Sequence, residues 1–457
     1  MLNQSPSITR RLSAWITQTD YAALPAEVTG RAKMSLLDWI GSAYSGRKSL
    51  TGKIMEKLVR DKGGEKTATL VGCGVSAPPA EAALYNGMIS SVMETDDVHE
   101  EASLHAGIGV IPAALAVAEP TGTSGRDLIT SIVMGYDISA RIARAAGAYH
   151  YQFWHTTGTC NTFGAAAAAG KLLCLDEERM TMALGLAGTQ AAGLWESLNA
   201  GATHAKHLHS GKAASNGVLS ALLAREGLKG AETILEGEKG FLSSSARAAI
   251  EDLRRLTEDF GKPFLIMKNF FKRYACCRAC FEGIEAIERI LRENELGFRD
   301  IGAIRVIMKP MRTWLVANGS PKDVYEAKFS LPFSMALMAV MGKAGLYDFN
   351  EENLRDPSIN EVMRKVRLVS DPGIAAKARI EVTCGDGRVF FEEPLCCSLN
   401  VKEVKEKFFQ NMTPLLKIEH IENIIDHVEN LEKMEEIKDL AELLKRTPEH
   451  PSYKEDP

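Results

Sequence analysis

Residues 161–175 read NTFGAAAAAGKLLCL, and the five consecutive alanines at 165–169 decide the architecture. Alanine is the strongest helix former, so the stretch is a helix. Its side chains are too small to build a hydrophobic face by themselves, so the helix must be packed closely by others. The run is far shorter than the roughly 20 apolar residues of a membrane span. The same texture extends outward. Residues 125–146 (GRDLITSIVMGYDISARIARAA), 109–119 (GVIPAALAVAE) and 81–94 (EAALYNGMISSVME) are helical by period. So are 178–194 (ERMTMALGLAGTQAAGL) and 212–227 (KAASNGVLSALLAREG). Gly, Ala and Ser recur on faces where large residues are usual, which predicts helices wrapped inside a bundle. Residues 25–46 place Val28, Ala32, Leu36, Leu37, Ile40 and Ala43 on one face, and Gly46 is the expected C-cap.

The texture changes near Lys262-Pro263. Residues 301–310 (IGAIRVIMKP) are β-branched and alternating, 377–384 (KARIEVTC) read as a strand, and 385–394 (GDGRVFFEEP) supply its hairpin partner. Residues 328–345 and 358–369 are helical between them. From Val401 the amphipathic helical pattern returns. The expected fold class is therefore mainly α: a large all-helical domain over 1–264, a smaller α+β domain over 265–400, and C-terminal helices over 401–457 that pack back on the first domain. Residues 448–457 read as a polar tail.

A net charge of −5 over 457 residues gives no electrostatic footprint for nucleic acid or an anionic membrane. The N-terminus lacks the apolar segment of a signal peptide, so a cytoplasmic protein with nine reduced cysteines is expected. Cys276, Cys277 and Cys280 form a CCxxC cluster, but no second pair stands at zinc spacing, and small apolar residues lining a turn is the preferred reading. No GxGxxG, P-loop or GxSxG pattern occurs, so nothing calls for a nucleotide or a serine nucleophile.

Four clusters could carry chemistry. In the first, Glu94, Asp96, Asp97, His99 and His105 fall within a dozen residues between two helices. They suit an acid/base loop and, equally, helix capping with surface histidines. In the second, His155 precedes the alanine-rich helix, whose N-terminal N–H groups favour anions, although a lone histidine there is more often a buried structural one. In the third, residues 203–212 (THAKHLHSGK) bring Lys206 and His209 together ahead of a helix. Packed cations lower one another's proton affinity, so Lys206 suits a carboxylate ligand or a base; composition alone slightly favours a solvated basic loop. The fourth, Lys272, Arg273, Tyr274 and Arg278, lies at the domain junction, where substrate clefts are common and Arg grips carboxylates bidentately.

In this order the clusters resemble the MmgE/PrpD family. The matching stretches run from LLDWIGSAYSG (36–46) through YNGMISSVMETDDVHEEASLHAG (85–107) and WHTTGTCNTFG (154–164) to THAKHLHSG (203–211) and KRYACCRA (272–279). The resemblance implies a helical domain with an α+β lid, a homodimer, no cofactor and no metal. It implies a small polycarboxylate as partner and no nucleic acid or membrane. Asp96 or Asp97 matches the family's DD motif, His105 its HxG turn, His155 its FH-T histidine and Lys206 the lysine before LHxG. These are the implied catalytic residues. Lys272, Tyr274 and Arg278 match the K-x-Y-x-x-C-R junction and, with His99 and His209, are the implied substrate-binding set.

Two positions depart from the pattern. Phe281 stands where relatives carry the histidine of CR-x-x-H, and Phe333 where they carry the tyrosine of SxxY. Phenylalanine can neither donate a hydrogen bond nor exchange a proton, so a more apolar lid side is expected. The implied activity is that of a hydro-lyase on a di- or tricarboxylate, in the manner of 2-methylcitrate dehydratase, starting with proton abstraction next to a carboxylate. The same step without a leaving group would make an epimerase, and loss of CO2 a decarboxylase. A catalytically silent member is the alternative of another class.

Overall fold

The structure is a computed structural model and describes residues 6–60, 62–199, 204–247 and 253–448. Thr203 of the third cluster and residues 449–457 of the expected tail lie outside the described residues. Among the described residues, those within Met1–Val92, Asp96–Phe271 and Asn400–Pro457 form one compact unit, and Met93–Thr95 with Lys272–Leu399 form a second. The first is helical and the second is α+β, so the molecule is mainly α. Residues 265–271, read from sequence as the start of the smaller domain, cluster with the helical one. The reason is local pairing: Val98 and His99 make an antiparallel pair with Phe270 and Asn269, and Leu265 N donates to Asp137 Oδ1 at 3.0 Å. No described helix is long and apolar enough to cross a membrane.

The alanine-rich helix, Thr156–Leu172, lies at the heart of the helical unit and is buried from Thr156 through Gly170. The helices Gly107–Thr121, Gly125–Tyr151, Glu177–Gly188 and His204–Arg225 pack on it. Its small residues are what permit this. A Cβ on Gly164 would stand 1.9 Å from Ser139 Oγ and 2.5 Å from the Gly135 carbonyl, and one on Gly217 would stand 2.4 Å from Ala165 Cβ. Gly46 is not the expected C-cap. Its helix runs on through Ala26–Arg47, and a Cβ there would meet the Ile89 carbonyl at 1.9 Å, so the glycine serves helix approach instead.

These distances give a paired prediction. Gly164→Ala should destabilise the helical unit by about 1–3 kcal/mol through overpacking. Gly30→Ala, in the Ala26–Arg47 helix with nothing within 4 Å of the new Cβ, should stabilise it by roughly 0.5–1 kcal/mol. Denaturant melts of the two variants should shift in opposite directions, and equal shifts would contradict the close-approach reading.

The smaller unit carries a four-stranded sheet in the order Val366–Ser370, Ile301–Met308, Ala378–Cys384, Val389–Glu392. The first pair is parallel and the other two antiparallel, with the expected hairpin turning across residues 385–387. Residues 358–369 are not helical throughout, as their period suggested. The helix Pro357–Arg364 stops at the Lys365 cap, and Val366–Ser370 joins the sheet. The amphipathic helix Phe281–Glu293 buries Ile284, Ile287 and Ile290, and it packs on both the Ala378–Cys384 strand and the helix Leu331–Met341.

Candidate active site

The sequence of the helical unit assembles two histidine groups beside the start of the alanine-rich helix. In the first, the loop after the helix Pro79–Val92 carries Asp96 and Asp97, both buried. His105 Nδ1 lies 2.8 Å from Asp96 Oδ2 and 3.0 Å from the Asp97 carbonyl. Both neighbours are acceptors, so Nδ1 carries the hydrogen and Nε2 keeps its lone pair. The backbone is fixed independently of the ring: His105 N donates to Thr157 Oγ1 at 3.1 Å, and Asn161 Nδ2 donates to the His105 carbonyl at 2.8 Å. An imidazole oriented by a carboxylate, with its second nitrogen available, can act as a general base.

Asp97 is differently placed. Tyr136 Oη and Asn269 Nδ2 donate to its Oδ2, the former at 2.7 Å, and Gly107 N donates to Oδ1 at 3.2 Å. Burial, reinforced by Asp38, pushes its carboxyl up to about 7, against the donors that hold it down. Its contacts hold the start of the helix Gly107–Thr121, in agreement with the capping reading. His99 likewise turns inward. It is buried, its Nδ1 accepts from Ala102 N at 3.2 Å to cap the turn Glu100–Ala102, and burial lowers its pKa to about 4.

The second group is built on His155, which is buried at the N-cap position of the alanine-rich helix. Its Nδ1 lies 3.2 Å from His209 Nδ1, so one ring donates and the other accepts, and it packs on Trp195 at 4.5 Å between centroids. Burial, and then the charge of Lys206, lower the pKa of His209 to about 4 and hold it neutral. Lys206 and His209 are not ahead of a helix, as the sequence suggested, but in the opening turns of His204–Arg225. Their spacing of three puts them on one side of it, and Lys206 is 4% exposed. Thr157 ties the two groups together, since it follows His155 by two residues and receives His105 N.

The α+β unit holds the fourth cluster. Lys272 is fully buried, with Nζ 3.2 Å from both Glu94 Oε2 and the Glu94 carbonyl. Arg278 Nη1 donates to Glu282 Oε1 at 3.0 Å, and Arg312 reaches the other oxygen of the same buried carboxylate. Tyr274 meets Phe281 edge-on at 5.0 Å, and burial raises its phenol above the usual range. It also borders an open cavity of about 530 Å³ with Arg273, Arg289, Arg292 and Lys343. Phe281 and Phe333 are both buried, the latter against Phe349 at 5.9 Å.

Sequence reasoning missed Lys328. It is 1% exposed, donates from Nζ to the Ala275 carbonyl at 3.0 Å and lies 4.7 Å from the centre of the Phe349 ring. Its only sequence signal is a lysine opening the apolar stretch KFSLPFSMALMAV. Among the described residues, no three His, Cys, Asp or Glu side chains are grouped as a metal site would need.

Comparison with known proteins adds the lineage. The chain is 27% identical over 408 residues to a cis-aconitate decarboxylase-like protein of Aspergillus oryzae, covering 83% of this chain and 84% of the relative. It is 26% identical over 414 residues to the cis-aconitate decarboxylase of Aspergillus terreus, covering 84% of each. It is 26% identical over 432 residues to the human cis-aconitate decarboxylase, covering 90% of this chain and 89% of that one. The family model of the MmgE/PrpD N-terminal domain matches residues 10–250 and that of the C-terminal domain residues 274–433. With a helical unit and an α+β unit in the same order, the chain belongs to the MmgE/PrpD family of lyases.

Proposed function

We propose that this enzyme acts on a small di- or tricarboxylate and breaks a bond at a carbon next to a carboxylate. The observation that carries the reading is the Asp96–His105 pair, which fixes one imidazole tautomer and leaves Nε2 as a base. In this reading His105 takes the proton from the carbon. The electron pair it leaves is delocalised into the neighbouring carboxylate as an enediolate, which needs positive charge nearby. Lys206 supplies that charge in the helical unit, and the His155–His209 pair relays a proton; in the α+β unit Lys272 and Arg278 are the carboxylate ligands.

Dehydration follows from that state. As in a 2-methylcitrate dehydratase, the pair forms a C=C bond while hydroxide leaves with a proton from an enzyme acid. Decarboxylation of an unsaturated acid needs no prior deprotonation. The bond to a carboxylate carbon breaks, CO2 departs, its electron pair moves through the C=C bond and is delocalised into a remaining carboxylate, and the far carbon takes a proton from an enzyme acid. Decarboxylation is favoured by the named relatives, all cis-aconitate decarboxylases or like them. Phe281 and Phe333, in place of the family's polar groups, argue for a substrate with an apolar substituent.

The test is incubation in D2O with citrate, 2-methylcitrate, cis-aconitate and malate, followed by proton NMR and CO2 release. Loss of CO2 from one substrate with deuterium in the product supports decarboxylation; an alkene with no CO2 supports dehydration. A folded protein that neither turns over nor exchanges any of these acids would overturn the polycarboxylate reading.

A further inference from the structure

Lys328 is not used by the mechanism above, yet burying its ammonium is costly. An ammonium group has three donors, and this one is wholly buried with one backbone carbonyl and the face of Phe349 as its neighbours. Among the described residues no carboxylate lies within ion-pair distance of it. The charged and titratable groups that face it are Glu94, Lys272 and Cys276. Glu94 favours its charge, Lys272 opposes it, and burial opposes it most. A lysine so placed is not kept for stability, because an isosteric apolar chain would fill the space without desolvating a cation.

We infer that Lys328 is a positioning residue that becomes charged when an anion binds at Lys272, so that substrate binding takes up a proton at this buried amine. The inference rests on the reading that Lys272 holds a substrate carboxylate. The burial of Lys328 lowers its pKa from 10.5 to about 8, so in the free enzyme the amine is neutral above that pH. A carboxylate seated on Lys272 adds a negative charge to the Lys272–Glu94–Lys328 group and pulls the amine back toward its ordinary value. Between the two values the complex holds a proton that the free enzyme lacks. Affinity therefore falls as pH rises through about 8, by up to about tenfold per pH unit.

Calorimetric titration of the full chain with citrate, cis-aconitate and tricarballylate, in two buffers of different ionisation enthalpy, counts the protons. Wild type should take up roughly one proton per bound anion at pH 9 and almost none at pH 6.5. Lys328→Met should bind with no uptake at pH 9 and about tenfold more weakly than wild type at pH 6.5, where the native amine is charged. Lys328→Arg, permanently protonated, should also show no uptake, and its affinity should not fall between pH 8 and 9. If Lys328→Met does not fold, the wild-type count and the Arg variant decide. Binding without uptake in wild type, or unchanged uptake in either variant, overturns the role of Lys328 and leaves the polycarboxylate reading standing. No binding of any of the three anions by wild type overturns that reading, and this inference with it.

Discussion

His105→Gln is expected to lower kcat by about 10²–10⁴ on the substrate the enzyme turns over, with the thermal midpoint nearly unchanged. The expectation follows from the way the residue is held. Its N–H and C=O are engaged by Thr157 and Asn161, contacts that do not involve the ring, so the loop from residue 103 to 107 keeps its path when the imidazole is removed. What is lost is the base, with the links of its Nδ1 to Asp96 and to the Asp97 carbonyl. Asp96→Asn is the companion test. An amide keeps the shape of the carboxylate but not the negative charge that stabilises the imidazolium formed as Nε2 takes the proton, while the Asp97 carbonyl still holds the Nδ1 hydrogen. A loss of about 10² or more in kcat, with KM little changed, would mark a group acting in the transition state. Steady-state kinetics on both variants gives the answer, and a loss under tenfold for His105→Gln would remove it as the base.

The helical core was legible because its signal is local. Five alanines in a row, with glycines at 164 and 170, announce a helix that other backbones touch, and that helix is the one around which the unit is built. The hairpin across residues 385–387 was legible for the same reason. Features that depend on a distant partner were not. Residues 265–271 belong with the helical unit because they pair with residues 98 and 99, some 170 positions away, and no period reveals that. Val366–Ser370 continues a helical pattern in sequence and becomes a strand because Ile301–Met308 offers it an edge. In the site, composition picked out Asp96, Asp97, His99 and His105 as one cluster, yet it could not sort them. Hydrogen bonding does: Asp96 faces His105, whereas Asp97 and His99 are engaged by backbone and scaffold groups. Lys328 was invisible, since a lone lysine at a helix start is ordinarily a solvated one and only burial distinguishes it.

Asp137→Ala should be the most destabilising single change in the helical unit, at about 3–5 kcal/mol, or roughly 10 °C in apparent melting temperature. Asp137 is fully buried on the helix Gly125–Tyr151, and its two oxygens serve three segments of the chain. Oδ2 accepts from Arg141 Nε at 2.6 Å and from Trp15 Nε1 at 3.3 Å, on the helix Ile8–Gln18, while Oδ1 accepts from Leu265 N. Arg141 in turn donates through Nη1 to the Glu258 carbonyl at 2.7 Å. Removing the carboxylate leaves a guanidinium that is only 4% exposed without its counter-charge, together with a backbone N–H and an indole N–H that lose their acceptor. The alternative explanation, a simple cavity, is tested by Asp137→Leu, alone and as the double variant with Arg141→Met. If the cost is an uncompensated buried charge, removing both charges and refilling the volume should recover at least half of the loss, because apolar replacement of a buried pair is often near neutral. If it is a cavity alone, the single variant Asp137→Leu, which refills the volume but keeps the guanidinium, should recover as much. Thermal melts of Asp137→Ala, Asp137→Leu and the double variant therefore separate the two, and recovery in Asp137→Leu alone would show that Asp137 acts by filling space.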